Sequence, residues 1–180
     1  MGIEFRDLRP NEIECRVATC KSNGVSLLLY KDARCDMNIL DETVGSTNWM
    51  RTHEVINGNL FCNVSIYNQD AEQWIVKQDV GVESYTEKEK GQASDAFKRA
   101  CFNWGIGREL YTAPFIWISS QKGYVTLDNK NGKCTTYDKF SVEDVIIKEK
   151  VIVAISIKNV SLNKRVFSYD IRPKDSKLKE

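Results

Sequence analysis

The residues best suited to chemistry lie on one stretch, Glu87-Lys88-Glu89-Lys90-Gly91-Gln92-Ala93-Ser94-Asp95-Ala96-Phe97-Lys98-Arg99-Ala100. On a helical wheel Gly91, Ser94 and Lys98 share a shallow face with a cation at its end, where another backbone could come close. Arg99 lies about 100° further round, and Ala93, Phe97, Ala100, Cys101 and Trp104 form an apolar stripe that would anchor the helix. Paired cations on a rigid element suit contacts to phosphates. The plain alternative is a solvated face with Lys-Asp and Arg-Asp pairs worth roughly a few tenths of a kcal/mol. The residues alone leave both readings open.

Other chemistry-bearing patterns are sparse. No glycine-rich loop followed by Lys-Ser/Thr is present, and Gly105-x-Gly107 lacks a third glycine and a preceding strand, so ATP and NAD use are unsupported. His53 is the single histidine. It falls mid-strand without a nucleophile signature beside it and reads as a packing residue, so no catalytic residue is assigned. Asp36, Asp41, Asp79 and Glu83 could assemble an oxygen-ligand metal site without leaving a spaced motif, although such sets are common on solvated faces. Zinc needs four ligands, whereas the chain offers one loose pair, Cys15 and Cys20. Neither a metal nor a cofactor is expected.

With 180 residues, 42% hydrophobic and 28% charged, the chain has the makings of one globular domain with an appended subdomain. Its net charge of +1 comes from 26 basic and 25 acidic residues, so any nucleic-acid surface must be local. The longest apolar runs, Val25 to Tyr30 and Val151 to Ile157, fall far short of the roughly 20 residues that span a bilayer. The first residues also lack a signal-peptide stretch. These features predict a cytoplasmic protein without membrane contact, whose six cysteines (Cys15, Cys20, Cys35, Cys62, Cys101, Cys134) are reduced thiols.

The elements that would position the cations follow from the pattern. Pro10 and the spacing of Ile13, Val17 and Cys20 predict a short first helix, and Val25 to Tyr30 a buried strand. Asp32 caps a second helix with Met37, Leu40 and Val44 on one face and Gly45 as its stop. From Asn48 to about Glu83 the period changes to two around Asn57-Gly58, which favours a type I′ hairpin; a third strand runs from Trp74 to Val82. Thr86 and Glu89 form a capping box at the start of the cationic helix, which ends at Gly105 and Gly107. Short strands are expected at 115–119, 124–127, 134–137, 151–157 and 166–169. The expected fold class is therefore α+β: a three-stranded antiparallel meander followed by a long helix (a β-β-β-α core), with flanking N-terminal helices and a C-terminal β-rich extension. The expected domains are a core over 1–114, a small β-rich extension over 115–170 packed on that core, and a basic tail over 171–180.

Three segments, Asp41-Glu42-Thr43-Val44-Gly45-Ser46-Thr47-Asn48-Trp49, then Asp79-Val80-Gly81, then Lys90 through Asp95-Ala96-Phe97-Lys98-Arg99-Ala100 to Trp104-Gly105, stand in a fixed order and spacing. Together they resemble the DNA-binding core of the Rad-fifty-two family, which contains eukaryotic recombination mediators and phage or prophage single-strand annealing proteins. The resemblance implies that the core over 1–114 is a DNA-binding core of the annealing type. The resemblance covers about residues 9 to 111, and 115–180 match no family pattern. It implies a ring or helical arc of subunits that holds single-stranded DNA in a basic groove. It further implies ATP-independent annealing of complementary strands in homologous recombination or DNA repair, with no bond made or broken, so the protein is not an enzyme. By resemblance Lys98 and Arg99 contact the DNA backbone, Lys90 lies nearer the groove rim, and Arg34 sits between bases or on a phosphate. Arg51, on the strand after the turn, is added from its position alone. The implied partners are single-stranded DNA, further copies of the chain and a single-strand-binding protein, with the cytoplasm of a bacterial or phage-infected cell and its nucleoid as the place.

The chain departs from the family pattern in three ways. Phe102 stands where many relatives carry a basic residue, Arg34 is offset by one from the aligned Cys35, and the long C-terminal region that recruits a recombinase in eukaryotic relatives is not expected here. Two rival functions remain in view: a metal-dependent nuclease using Asp36, Asp41, Asp79 or Glu83, and a structural or regulatory assembly module in which the Lys-Arg helix is a subunit contact.

Overall fold

The computed structural model describes residues 2–82, 88–130 and 132–173, the side chain of Lys88 excepted. The chain forms two compact units. The first comprises Met1–Asp7 and Lys31–Arg108, the second Leu8–Tyr30 and Glu109–Glu180.

In the first unit, helix α1 (Ala33–Val44) starts at Asp32, whose carboxylate accepts the Arg34 backbone N–H at 2.7 Å, and stops at Gly45 with φ 85°. Three antiparallel strands follow: β1 (Trp49–Ile56), β2 (Asn59–Asn68) and β3 (Gln73–Val80), in the order β1-β2-β3. Asn57 and Gly58 both take positive φ, as a tight two-residue hairpin turn requires. Helix α2 (Lys88–Trp104) packs on β2 and β3. Ala96, Phe97, Ala100 and Cys101 on the helix and Cys62, Val64 and Ile66 on β2 are all fully buried. Gly81 permits this proximity: a Cβ there would lie 2.8 Å from the Ala96 nitrogen and meet the Gln92 carbonyl. At the far end the Trp104 indole N–H donates to the Val64 carbonyl at 2.9 Å. The Thr86–Glu89 capping box lies outside the described residues.

The second unit is built from eight strands: β4 (Glu14–Lys21), β5 (Gly24–Tyr30), β6 (Ile116–Ser119), β7 (Asp128–Lys130), β8 (Lys133–Thr135), β9 (Phe140–Lys148), β10 (Val151–Asn159) and β11 (Lys164–Asp170). Six form one antiparallel sheet in the order β11-β10-β9-β4-β5-β6, and β11 approaches β6 so that the sheet is nearly closed like a barrel. Val25, Ile116, Ile118, Ile152, Ile155 and Ile157 fill its core. A fully buried carboxylate, Glu109, accepts the Leu8 backbone N–H at 2.7 Å.

The fold expectation is corrected by this sheet. Among the described residues the chain is mostly β, with the barrel-like sheet as its largest element and two α-helices, rather than a β-β-β-α core with flanking helices and an appended extension. The predicted first helix is strand β4. Between Val17 and Thr19 its pairing with β5 slips by one residue, and this bulge places Val17 and Cys20, three apart, on the same half-buried side. A bulged strand thereby reproduces helical spacing. Strand β9, whose pairing with β10 is also shifted twice, breaks the simple alternation and was not foreseen. Residues 124–127 form no strand. The expectation of six thiols is corrected too: Cys20 and Cys134 are paired as a disulfide, while Cys15, Cys35, Cys62 and Cys101 are free.

The proximity at Gly81 sets the spacing of helix and sheet, so Gly81→Ala should destabilise the protein by about 1–3 kcal/mol, the range for overpacking. Urea unfolding of the full chain measures this; an unchanged midpoint would show that the helix yields without cost.

Candidate nucleic-acid interface

All five expected DNA contacts fall in the first unit. Arg34, in the first turn of α1, pairs with Asp32 at 2.8 Å and keeps 80% of its side chain exposed. Hydrogen bonds from the Arg34 side chain and backbone hold the Asp32 carboxyl near 2, and the Lys98 ammonium adds to that pull. Lys98 acts on Asp36 as well, so it faces the start of α1, and it forms no ion pair among the described residues. Arg51 on β1 lays its guanidinium 4.7 Å from the centroid of the Phe97 ring, the residue before Lys98. The structure thus brings Arg34 and Lys98 together around Asp32, with Arg51 over the adjoining residue of α2.

The other two cations stand apart. Arg99 turns toward β3, where its Nε lies 3.3 Å from an Asp79 oxygen with the side chain 42% exposed. The Lys-Arg pair therefore splits across two sides of α2. Lys90 is exposed in the first turn of the helix, eight residues and about 12 Å along the axis from Lys98. His53 uses its Nε2–H to donate to the Ala93 carbonyl at 3.2 Å. That is a packing contact between β1 and α2.

Beneath this surface lies a buried ion pair that the sequence reading missed. Lys31 is 6% exposed and Asp36 is fully buried, and their ammonium and carboxylate are bonded to each other. The second Asp36 oxygen has no hydrogen-bond partner among the described residues. Burial pushes the Asp36 carboxyl up to about 6, against the opposing pull of Lys31 and Lys98. Burial likewise raises the neighbouring Cys101 thiol, so it is not a reactive thiolate. Gly107 leaves room for the Lys31 chain, because a Cβ there would collide with its Cε. A signal for burial existed: Asp36 precedes Ile39 and Leu40 by three and four residues, on the face that α1 buries.

The carboxylates considered as metal ligands are separately engaged. Asp36 holds Lys31, Asp41 accepts the Trp49 indole N–H at 2.6 Å, and Asp79 accepts from Arg99 and Asn103. Glu83 lies outside the described residues. Among the described residues no group of three or more His, Cys, Asp or Glu could hold a metal ion, and no helix is long and apolar enough to cross a membrane. No family model, curated protein or solved structure matches the chain.

A buried pair is costly to break and cheap to replace as a whole. Lys31→Met or Asp36→Leu alone should therefore destabilise by about 3–5 kcal/mol, while the double change stays within about 1 kcal/mol of wild type. Denaturant unfolding of the four proteins gives the coupling, and additive losses would show that the pair is not a unit. The pH dependence has a definite sign. With its carboxyl raised from 3.8 to about 6, folded Asp36 holds its proton more tightly than in the unfolded chain. The stability it contributes is present at low pH and falls as pH rises from about 4 through about 6. Asp36→Asn should flatten that part of a stability–pH curve.

Proposed function

We propose that the first unit binds single-stranded DNA along the surface that joins α1, β1 and α2, and that several copies of the chain anneal complementary strands without ATP. The observation that carries this reading is the grouping of Arg34 and Lys98 around Asp32, with Arg51 over Phe97 beside them. Arg34 and Lys98 both act on Asp32, Arg51 lies over the ring of the residue before Lys98, and the nearby buried carboxylate, Asp36, is already matched by Lys31. The resemblance of the segments around Trp49, Gly81 and Lys98 to annealing proteins supports the same reading. The three cations neutralise phosphates and release counterions, which reduces repulsion between two strands. A strand held by its phosphates loses its hairpins and leaves its bases open for pairing. Head-to-tail assembly would repeat the surface at regular intervals.

The test is annealing of two complementary oligonucleotides without ATP or metal, comparing wild type with Arg34→Ala/Lys98→Ala and following assembly by light scattering. Wild type should accelerate annealing, and the double change should abolish it while assembly persists. Binding should weaken with salt with a log-log slope of about −2, as expected for roughly three phosphates neutralised per subunit. Assembled wild type that neither binds nor anneals single strands would sink the reading.

A further inference from the structure

The second unit carries a cleft that the sequence reading did not assign. It lies between β6 and β11, where the sheet falls short of closing, and holds about 470 Å³. Three aromatic rings, Trp117, Tyr124 and Phe167, and two cations, Lys122 and Arg165, line it, with small and aliphatic side chains between them and no carboxylate.

Trp117 and Tyr124 are held in place. The Trp117 indole lies over Gly24, where a Cβ would be 2.8 Å from Cζ2, so the bare backbone lets the ring lie flat. Phe115 stacks beside it, with ring centroids 6.5 Å apart and planes 15° from parallel, yet is 78% exposed. Tyr124 draws two ammonium groups toward the cleft: Lys164 at 4.7 Å and Lys122 at 5.9 Å from its ring centroid. Its loop is tied by the fully buried Asn159, whose amide donates to the Tyr124 carbonyl at 3.0 Å and to Asp138 at 2.9 Å and accepts the Leu162 N–H at 3.2 Å. Arg165 is matched by Glu143 at 2.5 Å, whereas Lys122 and Lys164 form no ion pair among the described residues.

An exposed Phe115 ring stacked on a half-buried Trp117 indole, beside paired ammonium groups, matches the chemistry of an unpaired nucleotide strand, whose bases need stacking partners and whose phosphates need cations. A free phosphate would not use the rings. An acidic peptide would use the charge but gains nothing specific from two parallel planes. We propose that this cleft is a binding site for single-stranded nucleic acid, with bases stacked on Trp117 and Phe115 and phosphates held by Lys122 and Lys164. The site rests on these contacts alone and does not depend on the role given to α2.

The deciding experiment photocross-links iodouridine-substituted oligo-dT and oligo-U to the full-length wild-type chain and maps the linked peptides. Linkage within 115–124 is expected, and it should persist in Arg34→Ala/Lys98→Ala, which separates this site from the α2 surface. In equilibrium binding Trp117→Ala should weaken affinity about tenfold, within the range for one stacked base. Lys122→Glu/Lys164→Glu should shallow the salt dependence by about 1.4 log units per log unit, two phosphates at about 0.7 each. Linkage confined to other segments would overturn the proposal, as would displacement of oligo-dT by a polyglutamate peptide of equal length at equal concentration. Because the cross-link map uses wild type, a variant that fails to fold leaves the test intact.

Discussion

Small side chains at the contact between α2 and its sheet set the terms for the first unit. Gly81 on the strand side and Ala96 and Ala100 on the helix side bring the two elements close enough for Phe97 to be wholly buried between them. That burial fixes the rotation of the helix. Once Phe97 points inward, Lys98 must face the start of α1 and Arg99 must face β3, because neighbouring residues on a helix are about 100° apart. The division of the two cations is thus a consequence of packing and not of any preference of their own.

The same rotation gives the two cations different surroundings. Arg99 meets Asp79 and is partly neutralised, whereas Lys98 reaches a corner where Asp32 is committed to capping α1 and Asp36 to Lys31. An exposed pair contributes little to stability. The buried Lys31–Asp36 pair is different, since neither charge can be left alone in a site closed to water. It ties the residues just before α1 to the helix itself and so holds the cationic corner in one geometry.

In the second unit the organising constraint is closure of the sheet. Strands from both ends of that unit's sequence meet in one barrel-like sheet, and the polar groups inside it are satisfied at a few points such as Asn159 and the Glu109–Leu8 bond. Where β6 and β11 stop short, aromatic rings remain half-covered. Their orientation is set by a glycine and an amide rather than by one another.

Local features were readable wherever a short segment determines its own shape. Asn57-Gly58 takes the positive φ values that a tight turn demands, Asp32 caps α1 through its own side chain, and Phe97, Ala100 and Cys101 of the expected stripe are buried while its ends, Ala93 and Trp104, are half-buried. The five cations were likewise visible as residue types. Apart from Asp32, two residues before Arg34, their partners were not, because Asp79 and Phe97 approach Arg99 and Arg51 only after the chain has folded. The larger architecture was also hidden. A bulge made the strand Glu14–Lys21 look helical, and its place beside Phe140–Lys148 depends on pairing between segments more than a hundred residues apart. The cleft shares that origin: Trp117 and Tyr124 are distant from Lys164 in the chain, and only strand pairing brings ring and ammonium together. What sequence alone determined was local conformation and the inventory of charges; which charges are paired, buried or exposed was decided by tertiary contacts, because a charge's state depends on neighbours that local spacing does not specify.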